Sequence, residues 1–95
     1  MFKKKKAIKR VDFITMEKDV DVIKLANKLL KSVPLIINFE EYEPIEANKI
    51  ITFLSGVIYA LDGEIEVIQP KIFLFATKED YKDGSLRKFV KEYKE

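Results

Sequence analysis

The 95-residue sequence contains neither cysteine nor histidine. Without cysteine there is no disulfide, no thiol nucleophile and no thiolate metal ligand. Without histidine the commonest general base and the commonest metal ligand are missing as well. Catalysis would have to rest on carboxylates, lysines, tyrosines and hydroxyls alone, and no spacing nominates a pocket lysine or carboxylate for it. The three glycines, at 56, 63 and 84, are too scattered for a phosphate-cradling loop. Glu40, Glu41 and Glu43 are neighbours in a connecting segment and read as a solvated surface, not a metal cluster. The sequence therefore implies no enzyme, no metal and no cofactor.

Long apolar runs are missing too. No stretch approaches the length of a membrane span, and no secretory signal with an apolar centre is present, so a cytoplasmic chain is expected. There is no glycine at position 2 for acylation and no carboxy-terminal cysteine for prenylation. Glutamine occurs once, at Gln69, while charged residues make up 36% of the chain. That charged, thermolabile-poor profile is the one expected of a thermophilic source.

The length suits one domain, and 47% hydrophobic residues are enough for a core. Charge is uneven. Residues 1–10, MFKKKKAIKR, hold six basic residues and no acid, whereas residues 11–95 hold 12 basic and 16 acidic ones. A basic leader, 1–10, precedes a mildly acidic body, 11–95.

Within the body, VDFITM (11–16) reads as a short strand. Behind Asp19, the spacing of Val22, Ile23, Ala26, Leu29 and Leu30 predicts an amphipathic helix, ended by Ser32 and Pro34. VPLIINFE (33–40) is a nearly continuous apolar run, as expected of a central strand buried on both faces. Pro44 suits the first turn of a second helix running from Ile45 to Leu61, with Gly63 supplying the left-handed position after it. EIEVIQPKIFLFAT (64–77) reads as two strands joined by a turn at Gln69 and Pro70. A last helix, LRKFVKEYK, follows a Ser85 N-cap. The order β-α-β-α-β-β-α predicts an α/β two-layer sandwich, with two helices on one face of a four- or five-stranded mixed sheet.

Two places carry more apolar surface than that architecture needs. On the second helix Ala47, Ile50, Ile51, Leu54, Val57, Ile58 and Leu61 suffice to cover a sheet. Phe53, Gly56 and Ala60, with Tyr59 beside them, form a second stripe. Gly56 and Ala60 have the small-xxx-small spacing that admits another backbone. Either the first helix or a second copy of the chain accounts for it. In KIFLFA (71–76), Phe73 and Phe75 point opposite to Ile72, Leu74 and Ala76. If the two helices cover the latter set, the two rings lie on the other face. There they are either covered by Leu86, Phe89 and Val90 of the last helix or open as a groove for a partner peptide. The leader, with Phe2, Lys3, Lys4, Lys5 and Lys6, is a solvated tail or contacts an anionic membrane or a nucleic acid.

LIINFEEYEPIEANKIITFLSGVIYALDGEIEVIQPKIFLFAT, residues 35–77, resembles the core of the SepF family of cell-division proteins. The matching features are a hydrophobic strand ending in Asn38-Phe39, a helix with FLSG, a YALDG turn, an Ile-rich strand and an IFLF strand. The resemblance extends more loosely over residues 11–80. It implies a non-enzymatic, homodimeric adaptor at the division site, on the inner face of the cell membrane. Such an adaptor binds the C-terminal tail of the tubulin-like protein FtsZ and tethers its filaments through an amphipathic N-terminal segment. The resemblance further implies self-association at Gly56 and tail binding at Phe73, with Phe75, Ile65, Val67 and Lys71 expected to complete the peptide groove. The leader is shorter than the membrane-targeting helix and linker usual in the family: either it is a minimal anchor, or the native anchor is missing. The rival reading is a small nucleic-acid module using the leader, which predicts steeply salt-dependent binding.

Overall fold

The computed structural model describes residues 5–94. Phe2, Lys3 and Lys4 of the leader lie outside the described residues. The elements are α1 (Ala7–Arg10), β1 (Asp12–Thr15), α2 (Val22–Leu30), β2 (Leu35–Asn38), α3 (Pro44–Ala60), β3 (Glu64–Gln69), β4 (Ile72–Ala76), α4 (Lys78–Tyr81) and α5 (Ser85–Lys94). Apart from the one-turn helices α1 and α4, this is the order read from the sequence.

The strands form one four-stranded sheet in the order β1-β2-β4-β3. β1 runs parallel to β2, while β4 is antiparallel to both of its neighbours. β2 is therefore central. Its run of Leu35, Ile36 and Ile37 is buried on both faces, which is why it lacks polar alternation.

One face is covered by α2 and α3. Leu35, Ile37, Phe39 and Phe75 pack there against Leu25, Ala26 and Leu29 of α2 and Ala47, Ile50, Leu54 and Ile58 of α3. The apolar stripe expected on α3 is thus the one that meets the sheet. On α2 the stripe is rotated: Leu25 is buried with Ala26 and Leu29, whereas Ile23 and Leu30 are exposed. Packing sets the rotation: Leu25, Ala26 and Leu29 are the α2 residues in the core with the sheet and α3. The helix starts behind Asp21, not Asp19, and the Asp21 carboxylate accepts from the Ile23 and Lys24 amides at 3.0 and 3.2 Å.

The opposite face carries a second apolar cluster. Ile36, Ile68, Leu74 and Ala76 pack there against Tyr81, Leu86 and Val90, with Ala7 from α1. This corrects the expected orientation of β4. α2 and α3 cover Phe73 and Phe75, and it is Ile72, Leu74 and Ala76 that face the C-terminal helix. Alternation along a strand says which residues share a face, not which helix meets that face.

Two readings of helix ends change as well. Asp62, at φ 52°, takes the left-handed position after α3, while the Gly63 amide closes the helix by donating to the Ile58 carbonyl at 2.9 Å. Gly63 is needed for space. A Cβ there would sit 2.2 Å from the Ala76 carbonyl oxygen and 3.0 Å from the Thr77 Cα. At α5, Ser85 is the first helical residue, and Asp83 accepts from its amide at 2.9 Å.

The carboxy-terminal part of the leader is folded onto the body. Ala7 is fully buried, and its amide donates to Asp83 at 2.8 Å. The Ile8 amide donates to the Ser85 hydroxyl at 3.1 Å. Arg10 pairs with Asp80, which is itself buried and closes a capping box with Thr77. The Ser85 hydroxyl and the Ala7 and Ser85 amides together lower the Asp83 pKa from 3.8 to about 2. A depressed carboxylate contributes stability above its unfolded pKa and loses it as pH falls through the folded value. The Ala7 amide proton shift is accordingly expected to titrate near pH 2. A midpoint near 3.8 would mean that Asp83 does not hold α1 in solution.

Candidate functional site

The residues nominated from the sequence fall into three places. Phe73 and Lys71 line an apolar cleft of about 130 Å³ at the end of the sheet, between β4 and the start of α3. A dry cavity of that order accepts a ring-sized apolar group. The rest of its lining is Phe39, Tyr42, Pro44, Ala47, Asn48, Ile51 and Pro70, and apart from Tyr42 these carry no site signal in the sequence. Phe39 is the last residue of the buried strand run, and its amide donates to the Lys71 carbonyl at 2.8 Å, which closes the cleft floor. The signal for Tyr42 was available in the sequence, as an aromatic three residues after Phe39 in an otherwise acidic connection.

The cleft rests on a chain of aromatic contacts. Tyr42 meets Phe39 edge-on at 6.3 Å, Phe39 meets Phe73 edge-on at 5.9 Å, and Phe73 meets Phe75 at 6.4 Å. Each such pair contributes about 1 kcal/mol beyond its burial. Phe75 is fully buried beneath α2 and α3, so it supports Phe73 from inside and presents no surface to a ligand. Val67 stands opposite Phe73 on the edge strand β3 and is 49% exposed, while Ile65 stands opposite Phe75 and is half-buried against the core. Both flank the cleft on the same sheet face as Phe73 without lining it. The mouth is framed by the start of α3, where Pro44 occupies the first turn and the Glu43 carboxylate accepts from the Glu46 amide at 2.9 Å. Lys71 is exposed there and is the one cationic side chain in the lining among the described residues.

The outer stripe of α3 lies elsewhere. Phe53 is 40% and Tyr59 85% exposed, and Gly56 and Ala60 are exposed between them. A Cβ added at Gly56 meets nothing within 4 Å. Packing against α2 therefore does not explain this glycine, although it costs about 1 kcal/mol relative to alanine inside a helix.

The third place is the leader. Lys5 and Lys6 are exposed beside the docked α1. Among the described residues no helix is long and apolar enough to cross a membrane.

Residues 4–79 match the family model described as cell division protein SepF. The chain belongs to the SepF family of cell division proteins. The SepF of Caldanaerobacter subterraneus subsp. tengcongensis is 35% identical over 74 residues, covering 78% of this chain and 55% of the relative. That of Lactobacillus helveticus is 37% identical over 70 residues, covering 74% and 48%. The SepF of Lactiplantibacillus plantarum is 44% identical over 54 residues, covering 57% and 39%. The chain thus spans about half the length of the curated relatives it matches. The family match takes in the cleft and the outer stripe of α3, and it ends inside α4, leaving α5 beyond it.

Proposed function

We propose that this SepF-family chain is a non-enzymatic adaptor that receives the C-terminal tail of FtsZ in the Phe39–Phe73 cleft and helps hold FtsZ filaments at the membrane. The observation that carries this reading is the cleft itself. It is apolar, ring-sized, and rimmed by a cation free to meet an acidic residue of a peptide. Its walls come from β4, α3 and the connection between β2 and α3, so its shape is set by the core. An apolar side chain of the tail enters beside Phe73, and Val67 extends the contact toward the sheet edge. Burial at about 25 cal/mol per Å² supplies the affinity.

Calorimetric titration with an FtsZ C-terminal peptide tests this. Wild type is expected to bind at micromolar concentration. Phe73→Ala should weaken binding at least tenfold, as truncating a buried aromatic anchor costs about 2 kcal/mol or more. No wild-type heat at high micromolar peptide, or equal affinity for both proteins, would overturn the proposal.

The second part of the reading is self-association through the outer face of α3. Phe53 and Tyr59 supply apolar contact area, and Gly56 and Ala60 let the helix of a second copy approach closely. Because the space around Gly56 is empty within one chain, Gly56→Lys leaves the fold intact. Light scattering is then expected to show dimers for wild type and monomers for the variant, with unchanged circular dichroism. A variant that stays dimeric would remove Gly56 from the contact.

A further inference from the structure

The leader does not leave the domain at an arbitrary point. Ala7 and Ile8 are bonded to Asp83 and Ser85 at the start of α5, and Arg10 is paired with Asp80. This docking brings lysines from two distant parts of the chain to one surface. A broad hollow of about 430 Å³ is lined by Lys6 and Lys9 from the leader and Lys88 from α5. Ile8 and Phe89 lie between them, both half-buried. Lys5 is adjacent in sequence, and Lys91 is exposed one turn beyond Lys88. Among the described residues none of these five lysines forms an ion pair. The acids in the lining are Asp83, already holding the Ala7 and Ser85 amides, and Glu92.

The free cations here are all lysines. The two arginines that might read or stack on bases are committed elsewhere: Arg10 to Asp80, and Arg87 to Glu64 and Glu66 while lying over the Tyr81 ring at 4.5 Å. Compact point charges interleaved with apolar side chains suit a layer of phosphate headgroups over hydrocarbon better than a nucleic acid, which rewards planar guanidinium forks. Tyr93, 47% exposed on α5, adds an amphipathic ring of the kind favoured at a bilayer interface.

We propose that α5 completes a contact with an anionic phospholipid surface that the leader begins, the two being welded into one face by Asp80, Asp83 and Ser85. This rests on the membrane-holding part of the function proposed above and adds a determinant outside the family-matched span. It also orients the domain. Lys88 and Phe89 belong to the helix on one face of the sheet, whereas Phe73 faces α2 and α3 on the other, so lipid and peptide are served from opposite sides.

The test is co-sedimentation of the full chain with phosphatidylcholine vesicles containing roughly a third phosphatidylserine, with pure phosphatidylcholine as reference. Each lysine removed from such a surface lowers binding by about fivefold. Lys88→Gln with Lys91→Gln is expected to reduce binding by roughly twenty-five-fold. Lys24→Gln with Lys31→Gln, the same charge change on the exposed surface of α2 and its end, should leave binding unchanged. Wild-type binding that survives in the α5 variant overturns this inference and leaves a leader-only tether standing. Absence of wild-type binding to the anionic vesicles overturns the tether reading together with it. Tighter binding to single- or double-stranded DNA than to vesicles, lost in the same variant, would replace lipid by nucleic acid as the occupant. In every case, peptide binding at Phe73 is measured separately and is unaffected by the result.

Discussion

Replacing Gly63 with alanine is expected to lower the melting temperature by roughly 15 °C, corresponding to a loss of about 3 kcal/mol in a domain of this size. The added Cβ would stand 2.2 Å from the Ala76 carbonyl oxygen, and the next nearest atoms, on Thr77 and Ala76, are also main chain. No side chain is available to swing away. Either β3 must separate from β4, or the turn after α3 must be rebuilt. Both elements carry the cleft, since Phe73 lies on β4 and Ile51 on α3. Gly56→Ala serves as the internal contrast. It has open space around it and sits inside a helix, so alanine there should stabilise the isolated chain by about 1 kcal/mol. Thermal melts at low protein concentration read both. Equal melting temperatures for wild type and Gly63→Ala would mean that the close approach of β3 and β4 at this point does not exist in solution.

Asp80→Ala is expected to cost about 3–5 kcal/mol, the range for removing one partner of a buried ion pair. Asp80 is 1% exposed and accepts from the Thr77 hydroxyl at 3.0 Å as well as from Arg10. Truncation leaves the Arg10 guanidinium without its carboxylate and removes half of the capping box that starts α4. The loss should appear as a lower denaturant midpoint and as faster amide exchange at Ala7 and Ile8, because α1 then loses one of its fastenings. Unchanged protection at Ala7 and Ile8 would mean that Arg10 does not hold the leader in place.

Much of the architecture was legible because it rests on periodicity. β2 is unbroken by polar residues since it is covered on both sides, and α3 repeats its apolar positions at helical spacing because that stripe lies on the sheet. The misreadings arise where local pattern is silent about partners. Phe73 and Phe75 alternate with Leu74 in the same way whichever helix meets them, so their face was assigned only by the packing. Ile23 and Leu30 fit a helical stripe as well as Leu25 does, and only packing against the sheet and α3 decides which side turns inward. Gly63 reads as a turn glycine until the Ala76 carbonyl is seen against it. The cleft was half visible: Phe73 lies in a strand with surplus aromatics and Lys71 directly before it, whereas Phe39 and Tyr42 reach the cleft by folding over its end. The fastening of α1 to α4 and the start of α5 joins residues 70 or more positions apart, and no local signal in the sequence marks such a pairing.

The central claim is that the Phe39–Phe73 cleft receives the FtsZ tail. Amide chemical-shift mapping on the full chain, titrated with an FtsZ C-terminal peptide, tests it most directly. The account predicts saturating shifts concentrated at Phe39, Tyr42, Ile51, Lys71 and Phe73, with Ile36, Leu74 and Val90 on the opposite face unmoved. Saturating shifts confined to that opposite face, or none at high micromolar peptide, would contradict it.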